Sequence, residues 1–258
     1  MSDLSRSAVI GVIPARLAST RLPRKVLREI AGEPMLAWVH GAAADAGVFD
    51  RLLVAADSED VAELCRARGW EFRMTAPELS SGTDRVHAVA RMVVEENSPA
   101  AEDAIVVNIQ GDEPLLRVEH FHALLRPFRS GAVVVSTLRT PCRAEDVANP
   151  NVVKVVVDHE GTALYFSRAP IPWDRDGQNR DGGRGISYWK HLGLYAYRWP
   201  ILERFPGLPA SRLEAAERLE QLRLLEQGIP IHVEPVEFDT VGVDTEADLE
   251  AVAAVLRR

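Results

Sequence analysis

The first half of the chain alternates short apolar runs with segments of helical periodicity, and this alternation limits the fold more than any other feature. The predicted strands are 8–13, 51–56 and 104–109, and the predicted helices between them are 35–47, 60–69 and 83–96. Strands that alternate with helices are typical of a parallel sheet covered by helices on both faces. We therefore expect an α/β fold with a mostly parallel sheet.

From about residue 132 onward the pattern changes to strands with no predicted helix between them. The runs that carry this pattern are VVVSTL, VVKVVV, ALYFS and HLGLYAY. A series of neighbouring strands is typical of antiparallel pairing. We therefore predict a single domain of residues 1–258 with a small antiparallel lobe formed mainly by about 132–200.

Two helices are predicted near the C-terminus. The first begins at Ser211, with Glu214 placed for a capping box, and carries leucines at three-residue spacing up to Leu225. The second begins at Thr245 and has an apolar stripe that extends to Leu256.

Composition excludes several classes of protein. The formal net charge of −8 argues against binding to nucleic acid, which normally needs a basic surface. No run approaches the ~20 apolar residues that cross a bilayer, and the run 8–13 is too short for a signal peptide. Cys65 and Cys142 form no CxxC pair, so neither a disulfide framework nor a zinc site is expected. We expect a cytoplasmic protein with no membrane partner.

The loop after the first strand, PARLASTRLPRK (14–25), is rich in cations and small residues. Ligands of open α/β sheets bind at the carboxyl ends of the strands. Small residues let main-chain N–H groups approach phosphate oxygens, and Arg16, Arg21, Arg24 and Lys25 would neutralise a triphosphate. A solvated basic loop is the alternative. GxxxxGK[ST] and GxGxxG are both absent, which disfavours an ATPase P-loop and a nicotinamide-dependent dehydrogenase.

Two carboxylates are predicted at strand ends. Asp112 lies in NIQGDEP (108–114) directly after a strand, with Glu113 as its competitor, and Asp244 lies between an apolar run and the helix at Thr245. Mg²⁺ prefers one or two carboxylates together with substrate phosphates. The alternatives are an ordinary Gly-Asp turn at Asp112 and a helix-capping turn at Asp244. Two carboxylates and a cationic loop are the equipment of phosphoryl or nucleotidyl transfer.

The run KHLGLYAYR (190–198) alternates so that His191, Gly193, Tyr195 and Tyr197 share one face of a strand. Such a face looks into a polar pocket or an interface.

Taken together, the motifs resemble the CMP-Kdo synthetase family, the 3-deoxy-manno-octulosonate cytidylyltransferases. The resemblance runs in order through IPARLASTRLPRK, SSGTDR, NIQGDEP, NPNVVKVV, ALYFSRAPIPWDRD, KHLGLYAYR, LEQLR and VGVDTEADL. It covers nearly the whole chain. It implies a Rossmann-like nucleotidyltransferase fold with a small lobe, a homodimer, and Mg²⁺-dependent transfer of CMP from CTP to the sugar acid Kdo in lipopolysaccharide synthesis.

The resemblance also implies a role for individual positions. The catalytic set is Arg16, Lys25, Asp112 and Asp244, of which Asp112 and Asp244 bind the metal. The CTP-binding set is Ala15, Arg16, Ser19, Thr20, Arg21, Lys25, Thr75, Ser81, Gly82, Asp84, Gln110 and Gly111. The sugar-acid set is Arg168, His191, Tyr195, Glu220 and Gln221.

Three positions depart from the family pattern. Arg24 replaces a usual glycine, Ser80 a common glutamine, and Ala216 a residue that is polar in many members. These departures leave a sialic-type acid or a phosphonate open as alternative acceptors. A nucleotide-binding module without turnover is the alternative outside enzymes.

Overall fold

The computed structural model describes residues 7–17, 21–79, 81–97, 103–175 and 187–257. These residues form two compact units. The first comprises Met1–His122, Leu194–Pro206 and Thr240–Arg258, and the second comprises Ala123–Gly193 and Gly207–Asp239. The second unit includes most of the range that we predicted as the small lobe, and it adds residues 207–239.

The first unit is built on a mostly parallel sheet. Its strands are β1 (Val9–Ala15), β4 (Arg51–Ala56), β5 (Glu71–Met74), β6 (Ile105–Asn108) and the last residues of β10 (Trp189–Arg198). Their order is β10-β6-β1-β4-β5, and only β10 runs antiparallel to its neighbour. A separate two-stranded hairpin pairs β2 (Glu29–Ile30) with β3 (Glu33–Pro34). The predicted α/β fold class is confirmed.

Five helices of the described chain lie in the first unit, and a sixth, α4, begins there and continues past its boundary at His122. They are α1 (Met35–Asp45), α2 (Glu59–Arg68), α3 (Gly82–Asn97), α4 (Val118–Leu125), α5 (Trp199–Arg204) and α8 (Glu246–Leu256). The helix start predicted at Thr245 is confirmed, and the structure adds a capping box there, since the Thr245 side chain accepts from Asp248 N and the Asp248 carboxylate accepts from Thr245 N. The helix α4 was not predicted. It begins without a Ser, Thr, Asp or Asn cap, and the ring of His120 instead accepts from Arg117 N at 2.9 Å.

The second unit contains the predicted strands and one more. Strands β8 (Lys154–Val157) and β9 (Ala163–Ser167) pair antiparallel, and β8 also pairs with β10 at Lys190. The additional strand β11 (His232–Pro235) pairs parallel with β7 (Val135–Pro141), so the pairing in this unit is mixed.

The helix predicted from Ser211 through Leu225 is wrong as a single element. The structure has α6 (Arg212–Glu217) and α7 (Gln221–Glu226), separated where Arg218 takes a left-handed conformation with φ of 55°. Ser211 caps α6 by accepting from Glu214 N at 2.8 Å. The Glu214 carboxylate, however, does not complete the predicted box and binds Arg223 at 2.6 and 2.7 Å. The leucine spacing could not reveal this break.

A compact apolar cluster ties the loop after β1 to the C-terminal helix. Its fully buried members are Leu22, Ile30, Met35, Val243 and Val252, none more than 4% exposed. The cluster therefore joins the two chain segments that carry Lys25 and Asp244. Among the described residues, no helix is long and apolar enough to cross a membrane.

Replacement of Met35 by alanine should lower the free energy of unfolding by about 2–5 kcal/mol, because the side chain is fully buried in this cluster and its removal leaves a cavity. The matched control is Met92→Ala, since Met92 is 39% exposed on α3 and should change stability by no more than about 0.5 kcal/mol. Urea unfolding of both variants measures the difference. Equal losses of unfolding free energy in the two variants would show that burial of Met35 in this cluster does not stabilise the fold.

Candidate active site

Three charged side chains meet at the carboxyl edge of the parallel sheet. The ammonium Nζ of Lys25 lies 2.6 Å from Oδ2 of Asp112 and 2.9 Å from Oδ1 of Asp244. Lys25 opens a short 3-10 helix after β1, Asp112 follows β6, and Asp244 precedes α8. Val243 N donates to the carbonyl of Asp112 at 2.9 Å, so the main chain itself holds the two aspartate segments together. The predicted catalytic residues Lys25, Asp112 and Asp244 thus form one cluster.

The lysine is the most enclosed member of this cluster. Its side chain is 13% exposed, against 32% for Asp112 and 44% for Asp244. Burial lowers the pKa of the Lys25 ammonium, but the charges and hydrogen bonds of Asp112 and Asp244 outweigh it, and the pKa lies above its ordinary value. Lys25 is therefore a fixed positive charge. Arg21 adds a second cation, with Nη2 3.0 Å from Oδ2 of Asp244.

Gly111 allows the loop after β6 to approach the loop after β1. A Cβ atom at this position would lie 2.7 Å from the carbonyl oxygen of Pro14, a distance that real side chains do not reach. Because the obstacle is a main-chain atom, it cannot turn aside as a flexible side chain would. Gly111 therefore has a steric role beside Asp112.

Of the other residues in the predicted CTP-binding set, those that the structure describes lie in the first unit. Arg16 is exposed after β1, whereas the side chain of Ala15 is fully buried, which leaves Ala15 only its main chain for a ligand. Ser81 accepts from Asp84 N at 3.0 Å at the start of α3, where Gly82 is the first helical residue. Gln110 Nε2 donates to Asn108 Oδ1 at 3.4 Å. The predicted Ser19 and Thr20, and the departure at Ser80, lie outside the described residues.

Thr75 follows β5, and both roles of its hydroxyl are in use. The Oγ1 donates to the carbonyl of Ala56 at 3.1 Å and accepts from Nη1 of Arg85 at 2.8 Å. A hydroxyl has a single hydrogen to donate. The main-chain N–H of Thr75 also donates to Ala56 O, at 2.8 Å, so neither its hydroxyl nor its main chain has a hydrogen left to donate to a nucleotide.

Four of the five predicted sugar-acid residues lie in the second unit, and Tyr195 lies in the first. His191 is buried, and its Nε2 lies 3.0 Å from Thr137 Oγ1. Since that hydroxyl donates to the carbonyl of Leu192 at 3.1 Å, it accepts from the imidazole N–H. Burial, with a smaller contribution from Lys190, lowers the pKa of His191 to about 3. The ring is neutral at physiological pH and serves as a hydrogen-bonding group.

Arg168 binds main-chain carbonyls. Its Nε donates to Glu217 O at 2.7 Å, Nη1 to Pro150 O at 3.0 Å and Nη2 to Arg218 O at 3.4 Å. These contacts fix the turn between α6 and α7. A guanidinium has five N–H donors, so three such bonds do not exhaust it.

Gln221 and Glu220 follow that turn directly. Gln221 is 7% exposed, and within the described chain its Nε2 has no hydrogen-bond partner. A buried amide donor without a partner is costly unless a ligand satisfies it. Tyr195 is also 7% exposed and lies opposite Asn108 in the pairing of β10 with β6.

Comparisons with known proteins agree with this geometry. The cytidylyltransferase family model matches residues 10–233. The 3-deoxy-manno-octulosonate cytidylyltransferase of Acidobacterium capsulatum is 55% identical over 99% of this chain and 98% of its own length. Its counterpart in Koribacter versatilis is 53% identical over 96% of this chain and 90% of its own length.

The chain belongs to the 3-deoxy-manno-octulosonate cytidylyltransferase family. A solved CMP:2-keto-3-deoxy-manno-octonic acid synthetase, complexed with CTP, agrees with a TM-score of 0.88 and 40% identity over 97% of this chain and 99% of that chain. The resemblance seen in the sequence is confirmed, and the chain is a nucleotidyltransferase.

Within this family pattern, the departure at Arg24 has a local explanation. Arg24 adopts φ of 57°, the left-handed region that favours glycine. Its guanidinium pairs with Asp60 on α2 at 2.7 Å. Arg24 thus keeps the backbone conformation that the usual glycine favours, and its side chain forms an ion pair with Asp60.

Lys154, in the family motif NPNVVKVV, was not singled out from the sequence. It is fully buried, and Nζ donates to the carbonyls of Asn149 at 2.9 Å and of Val152 and Arg168 at 2.7 Å. Burial lowers the pKa of this ammonium below its ordinary value. A lysine inside an apolar strand was the signal that could have identified it, because a buried ammonium needs dedicated partners.

His191 makes stability pH-dependent in a testable direction. The folded ring, with its pKa lowered to about 3, stays neutral as the pH falls from 6.5 to 5, whereas the unfolded ring takes up a proton. Stability is therefore lost as pH falls through this window, and the wild type should lose about 1.5 kcal/mol more than His191→Gln. Urea unfolding of both proteins at pH 6.5 and 5.0 measures this, and all other histidines are common to both. A loss of equal size in the two proteins would show that His191 is protonated in the fold.

Proposed function

We propose that the protein transfers CMP from CTP to the hydroxyl of Kdo and releases pyrophosphate. The family relatives are named for this reaction, and a structural neighbour was solved with CTP. The single observation that carries the proposal is the Lys25 ammonium between the carboxylates of Asp112 and Asp244. It combines a cation for phosphate with a carboxylate pair suited to a metal.

The carboxylate pair fits Mg²⁺. Asp112 and Asp244 already approach a single positive centre, and both are partly exposed to solvent. Within the described residues, no group of three or more His, Cys, Asp or Glu side chains could hold a metal. Two carboxylates with substrate phosphates are the usual set for Mg²⁺. We infer that these two residues hold it, and that bound Mg²⁺ supplies charge neutralisation and a lowered pKa of the acceptor hydroxyl.

The protein's own residues supply charge and position. The phosphates of CTP and the departing pyrophosphate are neutralised by Lys25, Arg16 and Arg21. These side chains can donate charge-assisted hydrogen bonds to phosphate oxygens. The acceptor oxygen attacks the α-phosphorus in line, and its bond to phosphorus forms as the bond to pyrophosphate breaks. The described cluster has no Ser, Cys or His nucleophile, so the proposal includes no covalent enzyme intermediate.

The sugar-acid residues offer a mixed set of donors and acceptors. Gln221 has an available amide donor, Glu220 an anionic acceptor and His191 a neutral ring. Hydroxyl groups need such a mixture, whereas a phosphonate has few hydroxyls and would meet the charge of Glu220. We assign the acceptor carboxylate to the further N–H donors of Arg168, whose planar fork suits a carboxylate.

A homodimer and a cytoplasmic location belong to the same proposal. In the second unit, Leu164 on β9 is 63% exposed and Trp173 is 79% exposed. Aromatic residues such as tryptophan are enriched at interfaces, so we assign Trp173 to the interface of the proposed homodimer. The cytoplasmic location is proposed from the sequence, and a role of the product in lipopolysaccharide synthesis is what the family resemblance implies.

The substitutions Asp112→Asn and Asp244→Asn should each reduce kcat by at least ~10²-fold, because each removes a charged metal ligand while preserving shape. Circular dichroism checks that the variants fold, and pyrophosphate release measures kcat at saturating CTP and Mg²⁺. The control is Asp45→Asn, an exposed carboxylate at the end of α1, which should behave as wild type. A near-normal kcat in either aspartate variant would remove that residue from the metal site.

Kdo should be the best acceptor. Its kcat/KM should exceed that of a small phosphonate by at least ~10²-fold, since a site built to bind hydroxyls rejects ligands that lack them. It should also exceed that of N-acetylneuraminate, whose hydroxyls lie on a larger acid that bears an acetamido group. Pyrophosphate release with CTP and each acceptor gives the ranking, and a reaction without acceptor gives the background. No acceptor-dependent release would favour a binding module without turnover. A phosphonate ranked above Kdo would preserve the cytidylyltransferase assignment but overturn this acceptor.

A further inference from the structure

Arg85, on α3, is a buried cation that has no assigned part in the reaction. Its side chain is 2% exposed. Nη1 donates to Thr75 Oγ1 at 2.8 Å and to Ala76 O at 3.2 Å, and Nη2 donates to Pro77 O and Leu79 O, each at 3.1 Å. Four hydrogen bonds from one guanidinium thus fix the loop that follows β5.

Asp57, at the end of β4, is the charged group that faces Arg85. Its side chain is 8% exposed, and Oδ2 lies 3.7 Å from Nη2 of Arg85. The other oxygen, Oδ1, accepts from Leu17 N at 3.1 Å. Leu17 belongs to the cationic loop after β1, between Arg16 and the segment that leads to Arg21.

The two residues connect loops that lead from three adjacent parallel strands. In the sheet register, Ala15 of β1 lies opposite Ala56 of β4, and Ala56 lies opposite Met74 of β5. The loop after β1 therefore contacts Asp57, Asp57 faces Arg85, and Arg85 holds the loop after β5. The chain of contacts runs along the strand ends and lies wholly within the first unit.

We propose that Arg85 and Asp57 are positioning residues that couple the loop for the triphosphate, after β1, to the loop that carries Thr75, after β5. Neither needs to touch CTP. The inference rests on the proposed function, because it assigns both loops to one nucleotide. A ligand that spans two loops binds well only when both are held at the correct separation, and displacements of about 1 Å cost up to 10²-fold.

Burial makes this connection specific. A buried guanidinium keeps its charge and needs both a counter-charge and acceptors, which Asp57 and the carbonyls of the β5 loop provide. A lysine at position 85 would keep the charge but could not serve the same acceptors with a compact ammonium. An alanine at position 57 would remove both the hydrogen-bond acceptor of Leu17 N and the negative charge that faces Arg85.

The test measures CTP binding without acceptor, by isothermal titration calorimetry, for Asp57→Ala, Arg85→Lys and the double variant. We expect each single variant to raise the Kd for CTP by about tenfold or more. Because the two residues act as one connection, the Kd of the double variant for CTP should be no higher than the higher of the two single-variant values. Steady-state assays should show a higher KM for CTP and a KM for the acceptor within about twofold of wild type.

A variant that only destabilises the protein is the matched control. Val89 is fully buried on α3, one turn beyond Arg85, and Val89→Ala should lower the Tm while leaving the Kd for CTP unchanged. If Asp57→Ala and Arg85→Lys lower the Tm as Val89→Ala does but bind CTP as wild type, the two residues are merely structural and the proposal is overturned. Single effects that multiply in the double variant would also overturn it, since they would show two independent roles.

Asp57→Asn decides the matter if the other variants do not fold. Its amide oxygen can still accept from Leu17 N, so the variant should fold, yet it lacks the charge that faces Arg85 and should weaken CTP binding by a few fold. Wild-type affinity in this variant, or its failure to fold, overturns the proposal. Failure of the wild-type protein itself to bind CTP would instead count against the proposed function.

Discussion

A single ammonium between two carboxylates organises the first unit. Lys25 contacts Asp112 and Asp244 at hydrogen-bonding distance, and these residues are 87 and 219 positions away along the chain. Two aspartates side by side would repel each other, and the lysine removes that cost by supplying the opposite charge. The same cation is suited to phosphate oxygens, so one side chain both holds the two carboxylates together and serves the proposed substrate. Two packing features support this arrangement. Gly111 lets the loop after β6 approach the loop after β1, and the apolar cluster that includes Leu22 and Val252 joins that loop to α8.

A second device recurs in both units: cations with little or no exposure hold loops by donating to main-chain carbonyls. Arg85 does so for the loop after β5, and Lys154 for the turn before β8. Arg168, which is less buried, does the same at the turn between α6 and α7. Loops expose carbonyls that no strand or helix satisfies, and a charged donor pairs with them more strongly than a neutral one. Hydrogen bonds from charged side chains to main-chain carbonyls therefore hold these loops in place.

Sequence patterns predicted helices and strands well where the apolar periodicity was long. They failed where contacts outside the local pattern determined where a helix begins or ends. The apolar periodicity and the glycines that end helices correctly placed strands β1, β4 and β6 and helices α1, α2 and α3. Helix α4 escaped because a histidine ring, rather than a standard cap residue, begins it. The break at Arg218 was missed because Leu219 and Leu222, which follow it, are both buried, so their spacing looks like a continuation of the preceding helix.

The sequence by itself determined the fold class, the family and the identity of the charged residues at the strand ends, since these depend on local pattern and on ordered motifs. Only the tertiary structure decided which of those residues meet. The resemblance placed Lys25, Asp112 and Asp244 in one catalytic set, but no local pattern shows that they meet, because their convergence depends on strand order, which is not written in any local segment. The link from Leu17 through Asp57 to Arg85 was equally hidden, because each residue alone reads as an ordinary loop or helix position. Contacts between distant segments are made by packing, and packing is a property of the whole chain.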